Sequence, residues 1–179
     1  ESDGSVTDGQ YSLYGYSWLV PAGKTVASIT LPDQPFLNVL DIVLTHVEQV
    51  QISSTNWSEW NAFGITSGAK QVPNSQGFNG EGQYYDGDSL SSPLQYLTNS
   101  GNTIEIALGN INNDGATVDN FVSAQGQRIQ LSTGSENIAG MSLAAAFTGE
   151  RSDTSTPTVT IQVGFSDGTN DNWDLTLYP

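Results

Sequence analysis

Hydrophobic and polar residues alternate with a period of two along much of the chain. The pattern is clearest in TVTIQVGF (158–165) and recurs in ASITL (27–31), TIEIAL (103–108) and DLTL (174–177). Because successive side chains of a strand point to opposite faces, each segment predicts a strand with one buried apolar face and one polar face.

Two further segments carry apolar residues more continuously. Leu37–Val47 has hydrophobic side chains at both odd and even positions, which predicts a strand in the centre of a sheet. Met141–Phe147 (MSLAAAF) is compatible by residue propensity with a strand or with one helical turn. We predict a strand there, because a period of two matches the neighbouring segments and directs four side chains inward: Met141, Leu143, Ala145 and Phe147.

Turn-forming residues separate these segments throughout the chain. Examples are Asn79-Gly80, Asn113-Asp114-Gly115 and Ser166-Asp167-Gly168, and the sequence contains 19 glycines. Such turns recur too often to leave room for many helices. We therefore predict an all-β fold, an antiparallel β-sandwich with a jelly-roll-like arrangement, formed by a single domain over residues 1–179.

Three segments resemble parts of a β-sandwich accessory domain that is attached to secreted bacterial glycoside hydrolases and some secreted peptidases. Leu13–Leu44, with its YGYS and KTVASITLP motifs, resembles the closing strands of that domain. Asn56–Asp88 resembles its opening, and Thr158–Trp173 (TVTIQVGFSDGTNDNW) resembles its middle strands.

The resemblance places the family's end first in this chain. It implies a circularly permuted order, or a segment of tandem copies, in which the amino-terminal strands join the same two sheets as the carboxyl-terminal strands. The termini of a domain often lie close together, which makes such an order compatible with the fold. The resemblance also implies an accessory role, usually without catalysis, for which carbohydrate binding is the common presumption.

The charge of the chain restricts its partners. The formal net charge is −15, and it arises from having only four basic residues rather than from an unusual number of acids, since 13% of the residues are charged. A surface of Ser, Thr, Asn, Gln and Gly suits a secreted, extracellular protein. The charge argues against nucleic acid and anionic membranes as partners, because both require a basic patch. A polysaccharide or other glycan remains compatible with it.

The residue types exclude several kinds of chemistry. The chain has no cysteine, which excludes disulfides and a cysteine nucleophile, and its single histidine, His46, is predicted to be an ordinary strand residue. We predict no cofactor. A structural Ca²⁺ in a loop remains open, because two acidic pairs offer oxygen ligands without an EF-hand pattern: Asp86 with Asp88, and Asp167 with Asp171.

Aromatic residues provide the positive indication of a ligand. Sugar rings stack on aromatic rings, while carboxylates and carboxamides bind their hydroxyl groups. On this basis we predict six carbohydrate-binding residues: Trp57, Trp60, Tyr84, Tyr85, Asp86 and Asp88. Tyr14, Tyr16 and Trp18 also alternate on one strand, but we expect them to fill the core of the sandwich.

The function predicted from the sequence is a secreted, non-catalytic carbohydrate-binding or accessory module, alone or beside other domains of a larger extracellular protein. Two alternatives stay open. One is a structural surface or capsid-type module whose edge strands make the contacts. The other is a polysaccharide hydrolase or lyase, which would need two carboxylates at a fixed separation, chosen from Glu81, Asp86, Asp88 and Glu105.

Overall fold

The computed structural model describes residues 13–46, 51–53, 61–66, 84–86, 94–97, 103–106, 119–131, 138–147 and 158–176. These residues form thirteen strands: β1 (Leu13–Leu19), β2 (Val26–Thr30), β3 (Asp33–His46), β4 (Gln51–Ser53), β5 (Ile65–Thr66), β6 (Tyr85–Asp86), β7 (Leu94–Leu97), β8 (Thr103–Ile106), β9 (Val122–Gln125), β10 (Arg128–Gln130), β11 (Ile138–Phe147), β12 (Thr158–Phe165) and β13 (Asn170–Thr176). No helix that could span a membrane occurs among them. The prediction of an all-β fold is confirmed.

Most of the strands belong to two antiparallel sheets. Sheet A has the order β1-β11-β3, with β4 and β9 both paired to β3. Sheet B has the order β10-β2-β12-β13. Two small pairs complete the described strands, a parallel pair of β5 with β6 and an antiparallel pair of β7 with β8. The arrangement is consistent with the predicted β-sandwich.

The amino-terminal strands pair with strands from the other end of the chain. Strand β1 runs antiparallel to β11, from Leu13 opposite Ala146 to Leu19 opposite Gly140. Strand β2 runs antiparallel to β12, with Ile29 opposite Val163. The expectation that the first strands join the same two sheets as the last ones is therefore correct.

One side of the sandwich is closed by the backbone. The chain passes from sheet B to sheet A between β2 and β3, and it returns from sheet A to sheet B between β9 and β10. The two passages stay hydrogen-bonded to each other, because Leu31 N donates to Gln127 O and Gly126 N donates to Pro32 O, both at 3.0 Å. Gly126 has a φ of 73°, a conformation that glycine adopts without steric cost.

The opposite side is closed by aromatic side chains from the edge strands β1 and β13. Trp18 stacks on Tyr16 with ring centroids 6.0 Å apart and on Trp173 with centroids 5.3 Å apart. The Tyr16 hydroxyl donates to the backbone oxygen of Thr176 at 3.1 Å. This aromatic edge joins the two sheets where no strand crosses between them in the described part of the chain.

The core lies between the sheets and follows the predicted periodicity. Sheet B contributes the inward residues of its alternating strands, among them Ile29, Ile161, Val163 and Leu175. The predicted strand over 141–147 is confirmed as part of β11, and Met141, Leu143 and Ala145 lie in the core. Strand β3 lies between β11 on one side and β4 and β9 on the other, as predicted for a central strand.

The outward face of sheet A is also buried along its two long strands, β3 and β11. In β3 the side chains of Leu40 and Val43 are buried although they do not belong to the inter-sheet core. In β11 the outward residues Ser142, Ala144 and Ala146 are buried too. The sequence predicted burial on both faces for β3 but only a single buried face for β11.

Candidate functional site

The structure describes part of the predicted carbohydrate site. Trp57, Trp60 and Asp88 lie outside the described residues. Tyr84 and Tyr85 are half-buried, and β6 continues from Tyr85 to Asp86 beside β5. Tyr84, Tyr85 and Asp86 therefore stand together in one short segment, and their role in binding remains a prediction.

Two asparagines hold β5 and the residues before it against the chain near β9. The buried Asn120 accepts hydrogen bonds from the backbone N–H groups of Gly64 and Ile65 at 3.1 and 3.2 Å, and it donates to Ile65 O at 2.7 Å. Asn61 exchanges two similar bonds with the backbone of Ser123. Because Tyr85 N in turn donates to Gly64 O at 2.7 Å, these bonds also position the Tyr84–Asp86 segment.

The carboxylates considered for catalysis are only partly placed. Glu81 and Asp88 lie outside the described residues, whereas Asp86 belongs to β6 and Glu105 to β8. Strands β6 and β8 are in different two-stranded pairs. His46 is the last residue of β3.

The sequence predicts that Tyr14, Tyr16 and Trp18 fill the core, but all three are half-buried, and Tyr14 is not among the residues packed against it. Tyr16 and Trp18 pack against the core, and Tyr14 lies beside Tyr16 with centroids 6.4 Å apart. The Trp18 ring already stacks on two other rings. These contacts occupy ring surface that a sugar would need for stacking.

A different surface, the outward face of sheet B, brings many polar side chains together. The strand register aligns its residues into two neighbouring rows that cross β10, β2, β12 and β13 in that order. The first row is Gln130, Ser28, Gly164 and Asn170, and the second is Arg128, Thr30, Gln162 and Asn172. We call these eight residues the polar face. None of them is hydrophobic, because the apolar residues of these strands point inward.

Gly164 allows the side chains of the polar face to pack closely. A Cβ atom at this position would lie 2.6 Å from Ser28 Oγ, 3.2 Å from Asn170 Oδ1 and 3.6 Å from Arg128 Nη2. Arg128 Nε donates a hydrogen bond to Ser28 Oγ at 3.0 Å. The arginine side chain therefore extends from β10 across β2 to β12, over a position that has no side chain of its own.

Most of the polar groups on this face are available to a ligand. Within the described part of the chain, the Arg128 guanidinium forms no ion pair and only the bond to Ser28. Four exposed carboxamide side chains form no hydrogen bond with described residues: those of Gln130, Gln162, Asn170 and Asn172. Each carboxamide offers two N–H donors and one oxygen acceptor.

An ion pair holds the end of sheet B next to the polar face. Lys24, in the loop after β1, binds the Asp167 carboxylate and also donates to Thr169 Oγ1 at 2.8 Å. Asp167 accepts two more bonds from Thr169, from its hydroxyl and from its backbone N–H. The hydrogen bond from Lys24, followed by those from Thr169, holds the pKa of Asp167 well below its usual range.

These contacts bear on the acidic pair suggested for calcium. Asp167 binds Lys24, and Asp171 accepts hydrogen bonds from Trp173 Nε1 at 3.1 Å and from the backbone of Asn172 at 2.9 Å. Among the residues that the structure describes, no three acidic or histidine side chains are grouped so that they could hold a metal ion. Asp88 of the other pair lies outside them.

The polar face is not evident from the sequence alone. Alternation in 158–165 marks Thr160 and Gln162 as outward residues, but it does not show which residues of β2, β10 and β13 lie beside them. That information depends on the strand register. Comparison with protein-family models, with curated proteins and with solved structures finds no match to the chain. The resemblance to a bacterial accessory domain therefore remains a prediction.

Proposed function

We propose that the chain is a secreted, non-catalytic β-sandwich module that binds carbohydrate through the polar face of sheet B. The observation that carries this proposal is the polar face itself, two aligned rows of polar residues with four carboxamides that form no bond with described residues. The module acts alone or beside other domains of a larger extracellular protein.

The chemistry of the polar face suits a sugar ligand. A sugar hydroxyl both donates and accepts hydrogen bonds, and a carboxamide can do both in return. Adjacent strands lie about 4.8 Å apart, so four strands give a surface of roughly 14 Å between the outer strand axes, which has room for a short oligosaccharide. The strands themselves fix these side chains on a rigid frame.

The local charge also supports a carbohydrate ligand. The chain carries a net charge of −15, but the eight residues of the polar face include only one charged side chain, Arg128. None of the eight residues is a carboxylate that would repel a glycan, whereas nucleic acid would need a row of basic residues.

The proposal is tested by measuring retention on a panel of plant, fungal and bacterial polysaccharides, followed by titration with an oligosaccharide of the retained kind. We expect the double variant Gln162→Ala and Asn172→Ala to weaken binding by about tenfold, because two hydrogen bonds together contribute roughly 1–3 kcal/mol.

Tyr84→Ala is the matched control, since Tyr84 belongs to the site predicted from the sequence and not to the polar face. Loss of binding in Tyr84→Ala, with full binding in the double variant, would move the site to the Tyr84–Asp86 segment. Failure of the unmodified protein to bind any glycan would refute the proposal.

A further inference from the structure

We infer that Arg128 recognises a carboxylate on the bound glycan, so that the preferred ligand of the polar face contains an acidic sugar such as a uronic acid. This inference rests on the proposed function and makes the ligand class more specific. It depends on three observations: the orientation of the Arg128 side chain, the lack of an ion-pair partner for it among the described residues, and the distance to the nearest outward carboxylate.

The orientation of Arg128 is set by its neighbours on the sheet. Its Nε group is bound to Ser28 Oγ at 3.0 Å, and Ser28 is only 1% exposed. Its Nη2 atom lies near Gly164, where any side chain would collide with Ser28. The buried Ser28 hydroxyl thus holds the guanidinium over the sheet, and Gly164 leaves room for it there. The residue as a whole is exposed.

The charge of Arg128 has no partner in the described part of the chain. The other described basic residue, Lys24, is bound to Asp167. Arg128 forms no ion pair, although acidic residues outnumber basic ones by 19 to 4 in the sequence. A guanidinium carries five N–H donors, and only one of them is used by a described residue.

A carboxylate is the group that best fits these free donors. The planar guanidinium binds a carboxylate through two parallel hydrogen bonds, and such charge-assisted bonds are about twice as strong as neutral ones. Gln130 and Asn170 occupy the neighbouring row, from which their carboxamides can bind the hydroxyl groups of the same sugar.

Nearby acids do not prevent an anion from binding at this position. The outward carboxylate closest along the described part of the sheet is Asp174, which accepts a bond from Thr160 at 2.7 Å. It lies beside Thr160, four residues along the strands from Gly164, over which the guanidinium lies, and therefore roughly 13 Å away. That distance exceeds the Debye length of about 8 Å at physiological ionic strength, so its repulsion is largely screened.

A purely structural role for Arg128, as a cover for Ser28 and Gly164, is the competing explanation. It predicts that replacing Arg128 lowers the stability of the sheet and affects all ligands alike. Carboxylate recognition predicts instead that the effect depends on the charge of the ligand.

The experiment compares two probes of equal length, galacturonic acid trisaccharide and its methyl ester, which keeps the sugar but removes the negative charge. Calorimetric titration at physiological ionic strength gives the affinity of the unmodified protein, Arg128→Gln, Arg128→Lys and Lys24→Gln for each probe. Lys24→Gln is the matched control, because it changes the net charge by the same amount as Arg128→Gln but removes a lysine that is already paired.

We expect the unmodified protein to prefer the acid over the ester, and Arg128→Gln to lose about tenfold or more in affinity for the acid and less than twofold for the ester. The affinity of Arg128→Lys for the acid should lie between those of the unmodified protein and Arg128→Gln, because lysine keeps the positive charge but cannot form two parallel hydrogen bonds with a carboxylate. A sulfated trisaccharide distinguishes carboxylate recognition from general anion binding; equal affinity for it would contradict a carboxylate preference.

A second readout follows Arg128 directly in the unmodified protein by nuclear magnetic resonance. Only two arginines occur in the chain, so the Nε–Hε resonance of Arg128 can be assigned by its loss in Arg128→Lys, and it should shift on addition of the acid but not of the ester. Equal affinities for both probes, unchanged by Arg128→Gln, would overturn this inference and leave carbohydrate binding intact. Binding of neither probe, nor of any glycan in the panel, would refute both proposals.

Discussion

Strand β11 of sheet A and strand β12 of sheet B are each second from the aromatic edge, yet their outward side chains differ. In β11 these are Ser142, Ala144 and Ala146, small residues that are all buried. In β12 they are Thr158, Thr160 and Gln162, longer polar residues that are all exposed, followed by Gly164, which is buried and has no side chain. The inward side chains of both strands are apolar and belong to the same core.

The difference shows how one core can support two unlike surfaces. Small outward residues allow close packing over a sheet face, and burial of that face then adds to stability. Polar outward residues need no cover, because they remain hydrogen-bonded to water until a ligand replaces it. The outward face of sheet B is thus the one whose side chains can change partners without loss of the fold.

The largest expected effect comes from exchanging one outward residue between the two faces. Ala144→Gln should lower the free energy of unfolding by about 2–4 kcal/mol, because a longer side chain must enter a buried site and its amide loses water. The reciprocal change Gln162→Ala should alter it by no more than about 0.5 kcal/mol, as expected for an exposed position. Urea denaturation of the two variants measures both values.

Similar losses of stability in both variants would contradict the contrast between the two outward faces, because the outward face of β12 would then be packed as tightly as that of β11. Far-ultraviolet circular dichroism before denaturation shows whether each variant still has the β fold, so that a failure of Ala144→Gln to fold counts as the extreme form of the expected result.

The sequence predicted those features that depend on neighbouring residues along the chain. The alternation in 158–165 correctly placed Val159, Ile161 and Val163 in the core. The mostly apolar run over 37–47 correctly indicated a central strand. The similar burial of both faces of β11 was missed, because alanine and serine are compatible with either a buried or an exposed position.

The polar face could not be predicted because it depends on contacts between distant segments. Arg128 lies close to Ser28 although 100 residues separate them, and Ser28 in turn lies opposite Gly164, near the end of the chain. Their register also depends on irregularities such as the shift between Gly164 and Phe165. No period of hydrophobicity in the sequence encodes such a shift.

A second prediction concerns the close packing around Gly164 in the polar face. Gly164→Ala should lower the free energy of unfolding by about 1–2 kcal/mol, since the new methyl group must displace Ser28 Oγ and disturb its bond to Arg128. Removing the colliding oxygen with Ser28→Ala should relieve part of this cost. The double variant should therefore be more stable than the sum of the two single changes implies, by at least about 0.5 kcal/mol.

Additive losses in the Gly164 and Ser28 variants would contradict the close contact and would weaken the argument that these residues orient Arg128. The same three proteins provide a ligand test. If Gly164→Ala displaces the guanidinium, affinity for the uronic acid probe should fall while the affinity for its methyl ester changes little.

The smallest expected effect lies at the exposed end of sheet B, in the pair formed by Lys24 and Asp167. Because the folded state lowers the pKa of Asp167 below its ordinary value of about 3.9, the contribution of this carboxylate to stability is fully present above that value and is lost as the pH falls toward the folded pKa. Asp167→Asn should therefore be less stable than the unmodified protein at neutral pH, and the difference should shrink between about pH 5 and pH 2. Urea midpoints of both proteins across this range measure the difference. As a control, the same Asp167→Asn change in a protein that already carries Lys24→Gln should have a much smaller effect on stability. A difference that grew on acidification would show that Asp167 is stabilised in its protonated form, contrary to the hydrogen bonds from Lys24 and Thr169.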